Sequence, residues 1–194
     1  YIYSIIIPCF FIISNSCFAL ESEWSDNNEA KVRIISPNSH NNNEALITLG
    51  LEYKLLEGWK TYWKSPGDGG FPQDIDWSKS TNISNIEILW PTPQEFEILG
   101  FTSIGYEKHV IFPIKINIED IKKKTLLSFK INFLFCEDVC IPGNANLDLV
   151  IPPGLGEITN HFYQIETLFP HFELIHLHRL HSLRLLEQIY PWLL

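Results

Sequence analysis

An all-β chain, folded as an immunoglobulin-like antiparallel β-sandwich, is what the 194-residue sequence predicts. Three observations carry the prediction. About seven short segments are rich in β-branched and aromatic residues, and many alternate in polarity. Clusters of turn formers separate them, and no convincing helical period lies between them. Hydrophobic residues at 45% and charged residues at 19% are globular values, which excludes a wholly disordered chain. The net charge of −9 argues against nucleic acid as a partner, because phosphate binding needs clustered Lys and Arg.

Residues 1–19 read as a signal peptide. They are uncharged, hold a short apolar core from Ile5 to Ile13, and offer small residues at Cys17 and Ala19 for cleavage before Leu20. The rival reading, a membrane anchor over residues 1–20, fits less well. Ser4, Pro8, Ser14, Asn15 and Ser16 interrupt the run, which falls short of the ~20 apolar residues that a span needs. The chain holds no methionine, even at position 1, which leads us to expect the start codon upstream. Export places the chain in an oxidising compartment. Cys9 and Cys17 leave with the signal, so the mature chain keeps Cys136 and Cys140. Residues 20–29, polar and acidic, read as a loose leader.

A domain over residues 30–155 follows. Its expected strands are 31–36, 44–55, 59–63, 86–90, 109–118, 125–136 and 146–152. The clearest is LSFKINFLF: Leu127, Phe129, Ile131 and Phe133 share one face, and Ser128, Lys130 and Asn132 the other. Turns are expected at 36–43, 65–72, 91–94 and 141–144, where Pro, Gly, Asn and Ser concentrate. Residues 156–194 form an atypical tail that holds five of the chain's seven histidines and no lysine. It can be drawn as an amphipathic helix, with Leu174, Leu177, His178, His181, Leu185 and Ile189 on one face, or as non-native coding sequence beyond a frameshift. The abrupt change of composition favours the second. His171, His176, His178 and His181 lack ligand spacing, so no metal is expected there.

Cys136 and Cys140 carry the chemistry. Fully extended, their Cα atoms would stand ~13 Å apart at ~3.3 Å per residue. A disulfide needs roughly 4.4–6.8 Å, so bridging requires a hairpin loop or one helical turn between them. Pro142-Gly143 is expected to turn the chain again. Three uses remain open: a redox pair, a local staple contributing about 2 kcal/mol, or thiolate ligands. A local bridge near the surface tends to be reducible, which favours redox. Glu137 and Asp138 between the cysteines disfavour a thiolate, which suits a carrier that reacts once a partner docks. Trp59, Tyr62, Trp63 and Trp77 around the Gly-rich 65–72 stretch read as core packing. Gly67, Gly69 and Gly70 lack the lysine of a phosphate loop, and Asp68, Asp74 and Asp76 lack calcium-loop spacing.

Three stretches, GWKTYWKSPGDGGFPQDIDW (58–77), ILWPTPQEFEILGFTSIGYEKHVIFPIKI (88–116) and FCEDVCIPG (135–143), resemble the N-terminal periplasmic domain of the DsbD family of thiol:disulfide interchange proteins. The resemblance runs from Ala30 to Pro153 and is nearest to variants related to the copper-sensitivity suppressor ScsB. It implies an immunoglobulin-like domain that takes electrons from a membrane electron-transfer domain of the same family. It passes them, without a cofactor, to periplasmic thioredoxin-fold proteins: disulfide isomerases and cytochrome c maturation thioredoxins. It also implies that Cys140 forms the mixed disulfide with the partner, that Cys136 resolves it, and that a cap loop from Glu97 to Tyr106 covers the pair. Phe101 and Tyr106 are its candidate covering rings, with ordinary core packing as their alternative. The competing function is a secreted sandwich that binds a partner without catalysis and keeps the bridge as a staple.

Overall fold

A computed structural model describes residues 19–25, 27–98 and 100–168. Residues 1–18 of the expected signal peptide and the tail histidines beyond residue 168 lie outside the described residues. Alternation in the sequence becomes two antiparallel sheets packed face to face, the predicted immunoglobulin-like sandwich. One sheet has the order β1 (Ala30–Ile35), β2 (Leu46–Leu55), β8 (His109–Ile118), β5 (Ile83–Ile88). The other has the order β10 (Cys140–Ile151), β9 (Thr125–Cys136), β3 (Lys60–Gly67), β7 (Phe101–Glu107), β6 (Gln94–Ile98), and the short β4 (Asp74–Asp76) also pairs with β9.

The inner faces meet in one core. Val32, Ile34, Leu49, Leu51, Tyr53, Phe112, Ile114 and Ile116 come from the first sheet, and Leu127, Phe129, Ile131, Phe133, Leu147 and Leu149 from the second. Tyr53 and Tyr106 both stand edge-on to Phe112, a geometry that sets ring edges against ring faces.

Four expectations need correcting. First, β10 runs straight through Pro142 and Gly143, where a turn was expected. It is an edge strand, and Pro142 pairs with Leu134, whose carbonyl accepts from Thr61 Oγ on the far side. Pro142 therefore faces its missing N–H outward, where no ladder bond is lost. Gly143 lies beneath Phe133 and Phe135, and a Cβ there would fall 2.7 Å from both rings. Second, the segment expected as a cap loop takes the form of the regular hairpin β6–β7, with Gln94↔Gly105 and Ile98↔Phe101 as its paired ends, and it reaches the bridge through Ile98 and not through the expected rings Phe101 and Tyr106.

Third, the leader is not loose. Ser22 N–H and Ser25 N–H donate to the carbonyls of Ile34 and Val32, and Ser36 N–H to that of Leu20. Those bonds occupy the outer edge of β1, which would otherwise present unpaired backbone. Fourth, the start of the tail belongs to the sandwich. Asn38 bridges Ile158, and the one-turn helix α1 (Phe162–Glu166) sets Ile165, fully buried, against Ile35 and Ile111. His161 joins tail to leader by bonding Glu21 and Gln164.

Candidate redox site

Cys136 ends β9 and Cys140 begins β10, with Glu137, Asp138 and Val139 forming the hairpin loop. The two cysteines are register partners, and their Cα atoms stand 4.1 Å apart. Residues of the Leu134 and Cys136 parity aim their backbone groups at β3, so Cys136 and Cys140 form a non-hydrogen-bonded pair. Such pairs bring side chains of antiparallel strands closest together. The hairpin thus supplies the bend that the spacing demanded, and the two sulfurs are joined in a disulfide.

The bridge lies on the outer face of the larger sheet, away from the main core. Cys136 is fully buried there in a small cluster with Leu134, Tyr62 and Ile98, against which Phe96 packs. Cys140 is exposed, as are Glu137, Asp138 and Val139. One sulfur-bearing residue is therefore sealed and the other open to solvent.

Tyr62 defines the chemistry of the sealed side. Its hydroxyl donates to Cys136 Sγ at 2.9 Å and lies 3.8 Å from Cys140 Sγ. Burial raises the pKa of the phenol, so Tyr62 stays a proton donor at neutral pH. Gly70, at φ +89°, lets the 65–72 loop close over the Tyr62 ring; a Cβ there would stand 2.3 Å from a ring carbon. The ring is fixed on its other flank by Phe96, with centroids 6.4 Å apart.

A hydroxyl aimed at Cys136 Sγ favours negative charge on that sulfur, because a hydrogen bond to an ion contributes roughly 1.5–3 kcal/mol. Tyr62→Phe keeps the ring and loses the donor. We expect it to fold as the parent does and to be reduced about tenfold more slowly by a small thiol. Stopped-flow reduction checks this; an unchanged rate would remove Tyr62 from the chemistry.

The structure covers the bridge with rings other than those expected. Tyr106, the register partner of Thr61, points to the inner face, packs on Phe112 and donates to the carbonyl of Pro91. It is core. Phe101 is 54% exposed at the β6–β7 turn. Covering falls to Tyr62, with Phe96 and Ile98 from the same hairpin. Trp59, Trp63 and Trp77 do pack on the main core, but Tyr62 alternates away from them and so reaches the sulfurs. Among the described residues, no three His, Cys, Asp or Glu side chains gather as metal ligands. No described helix is long and apolar enough to cross a membrane.

The family described as thiol:disulfide interchange protein DsbD, N-terminal, matches residues 28–152. The N-terminal periplasmic domain of ScsB from Proteus mirabilis superposes with a TM-score of 0.63 at 28% identity, covering 79% of this chain and 60% of that one. The chain thus spans less than two thirds of that domain's length. The reduced N-terminal domain of DsbD from Neisseria meningitidis is matched at 9% identity and a TM-score of 0.33, covering 74% of this chain and 91% of that one. No curated protein matches.

Proposed function

Because the chain belongs to the DsbD N-terminal domain family, we propose that it is a periplasmic thiol–disulfide exchange domain. It takes electrons from a membrane electron-transfer domain and passes them through Cys136 and Cys140 to thioredoxin-fold proteins. The observation that carries the reading is the asymmetry of the bridge: Cys140 is exposed, and Cys136 is buried under Tyr62. A staple has no use for that difference, and a hairpin already held by its ladder gains little from a short-loop cross-link.

Exchange follows from the geometry. In the reduced domain the Cys140 thiolate attacks one sulfur of the partner's disulfide, and the partner's other sulfur leaves as a thiolate. Cys136 then attacks Cys140 Sγ in the mixed disulfide. The bond to the partner breaks and its second thiolate departs. Two electrons have moved, the domain holds its disulfide again, and the partner is a dithiol. Tyr62 donates to Cys136 Sγ while that sulfur is the attacking or departing anion. Export to the periplasm and the partner class, including disulfide isomerases and cytochrome c maturation thioredoxins, form part of this proposal and are supported by family membership.

The test is direct transfer. The reduced chain, mixed with an oxidised periplasmic thioredoxin-fold protein, should reoxidise as the partner's thiols appear, both followed by alkylation mobility shift. A domain that stays reduced beside every such partner would contradict the proposal.

A further inference from the structure

Cys140, Cys136, Lys60 and Glu107 form one row across four strands. Cys140 pairs with Cys136 between β10 and β9, Cys136 with Lys60 between β9 and β3, and Lys60 with Glu107 between β3 and β7. Direct register partners project to the same face with Cβ atoms roughly 4.5–5.5 Å apart. The Lys60 side chain is only 18% exposed. Its ammonium donates to the Gly58 carbonyl at 2.8 Å, stands 3.8 Å from Glu107 Oε1, and lies 5.7 Å from the centre of the Phe96 ring. The other ionisable groups beside the row are Tyr62, Glu137, whose carboxylate rests over Gly58, and the exposed Asp138 in the loop between the cysteines; both carboxylates oppose the thiolate that Lys60 favours.

We infer that Lys60, restrained by Glu107, is a positioning residue for exchange, its ammonium stabilising the thiolate that forms on Cys136 when the bridge opens. The inference rests on the redox reading of the pair and adds a tuning group to it. With glutathione as reductant the step balances. A glutathione thiolate bonds to Cys140 Sγ, the bridge breaks, and its electron pair goes to Cys136 Sγ. A second glutathione thiolate attacks the sulfur of the first, giving oxidised glutathione and releasing Cys140 as a thiolate. The anion on Cys136 forms in a buried setting that disfavours charge. A partly desolvated cation one residue across the ladder offsets that cost more effectively than a surface lysine would.

Two readouts on the full chain test this. In a Cys140→Ser background, thiolate absorbance against pH gives the Cys136 thiol pKa. We expect Lys60→Gln to raise it by about one unit, Glu107→Gln to lower it, and Lys60→Arg to leave it near the parent value. With both cysteines present, Lys60→Gln should slow reduction by glutathione about threefold, because Cys136 is the leaving thiol and a leaving thiolate of higher pKa departs more slowly. Opposite shifts from two residues in one ion pair cannot come from a loss of packing. An unchanged Cys136 pKa in both Lys60→Gln and Glu107→Gln overturns the inference even if the parent exchanges normally. A parent disulfide inert to glutathione contradicts instead the carrier reading beneath it.

Discussion

Cys136→Ala should convert the domain into a trap. With the resolving sulfur gone, the exposed Cys140 thiolate still attacks a partner disulfide, but nothing within the chain releases the adduct. Stable mixed disulfides should accumulate, visible as partner-sized shifts that collapse on adding dithiothreitol. Cys140→Ala should accumulate none, because Cys136 is fully buried beneath Tyr62, Ile98 and Leu134. Both variants should abolish turnover, an effect of at least about a thousandfold when a nucleophile is lost. The asymmetry between them is the informative part. Equal trapping through both cysteines would mean that the burial difference does not direct attack.

Glu52→Ala should be the most damaging change outside the site. Glu52 is 1% exposed on the outer face of the smaller sheet. Its carboxylate accepts from Arg33 Nε at 2.6 Å and bonds His109 Nε2 at 2.8 Å. Burial pushes its carboxyl pKa up, but the bonds from His109 and Arg33 and the charges of Arg33 and Lys54 outweigh that, leaving it at about 2. Arg33 in turn reaches Glu21 of the leader and lies over the Trp24 ring. Removing the carboxylate takes the charge-assisted bonds from Arg33 and His109 and leaves the largely buried guanidinium with Glu21 as its carboxylate partner, a loss of about 1.5–3 kcal/mol. Denaturant unfolding at pH 7 measures it, and a loss under about 1 kcal/mol would show the network to be idle. The sign with pH follows from the lowered pKa. Stability from Glu52 is complete above its ordinary carboxyl value near 4.5 and drains away as pH falls toward 2. The gap between parent and Glu52→Ala should therefore narrow in acid. Because Glu52 lies on the opposite sheet, exchange by the folded variant should match the parent.

These two groups were unequally legible in the sequence. The alternation of Leu127, Phe129, Ile131 and Phe133 identified β9, and all four are buried as expected. Cys136 and Cys140 stood out because the chain had to fold back between them. Two of the strands that escaped notice share one cause. β6 and β7 carry exposed Glu95, Glu97 and Thr102 on an edge hairpin, so their hydrophobic signal is diluted. The opening of β10 carries Pro and Gly, which read as a turn until the edge position and the rings above Gly143 are known. Tyr62 was hidden for another reason. Its neighbours Trp59 and Trp63 belong to the core, and only the pairing of β3 beside β9 shows that Lys60 and Tyr62 face Cys136 instead. That pairing joins residues more than seventy positions apart, and no local pattern encodes it. The Glu52 network is non-local in the same way, joining leader, β1, β2 and β8.

Whether the Cys136–Cys140 bridge is an exchangeable bond is read from its midpoint potential in the folded chain, titrated against redox buffers and followed by thiol alkylation. We expect a midpoint above about −300 mV, within reach of a biological thiol donor. A bridge that remains closed in the native domain at potentials well below that value would be a structural staple and not an electron carrier.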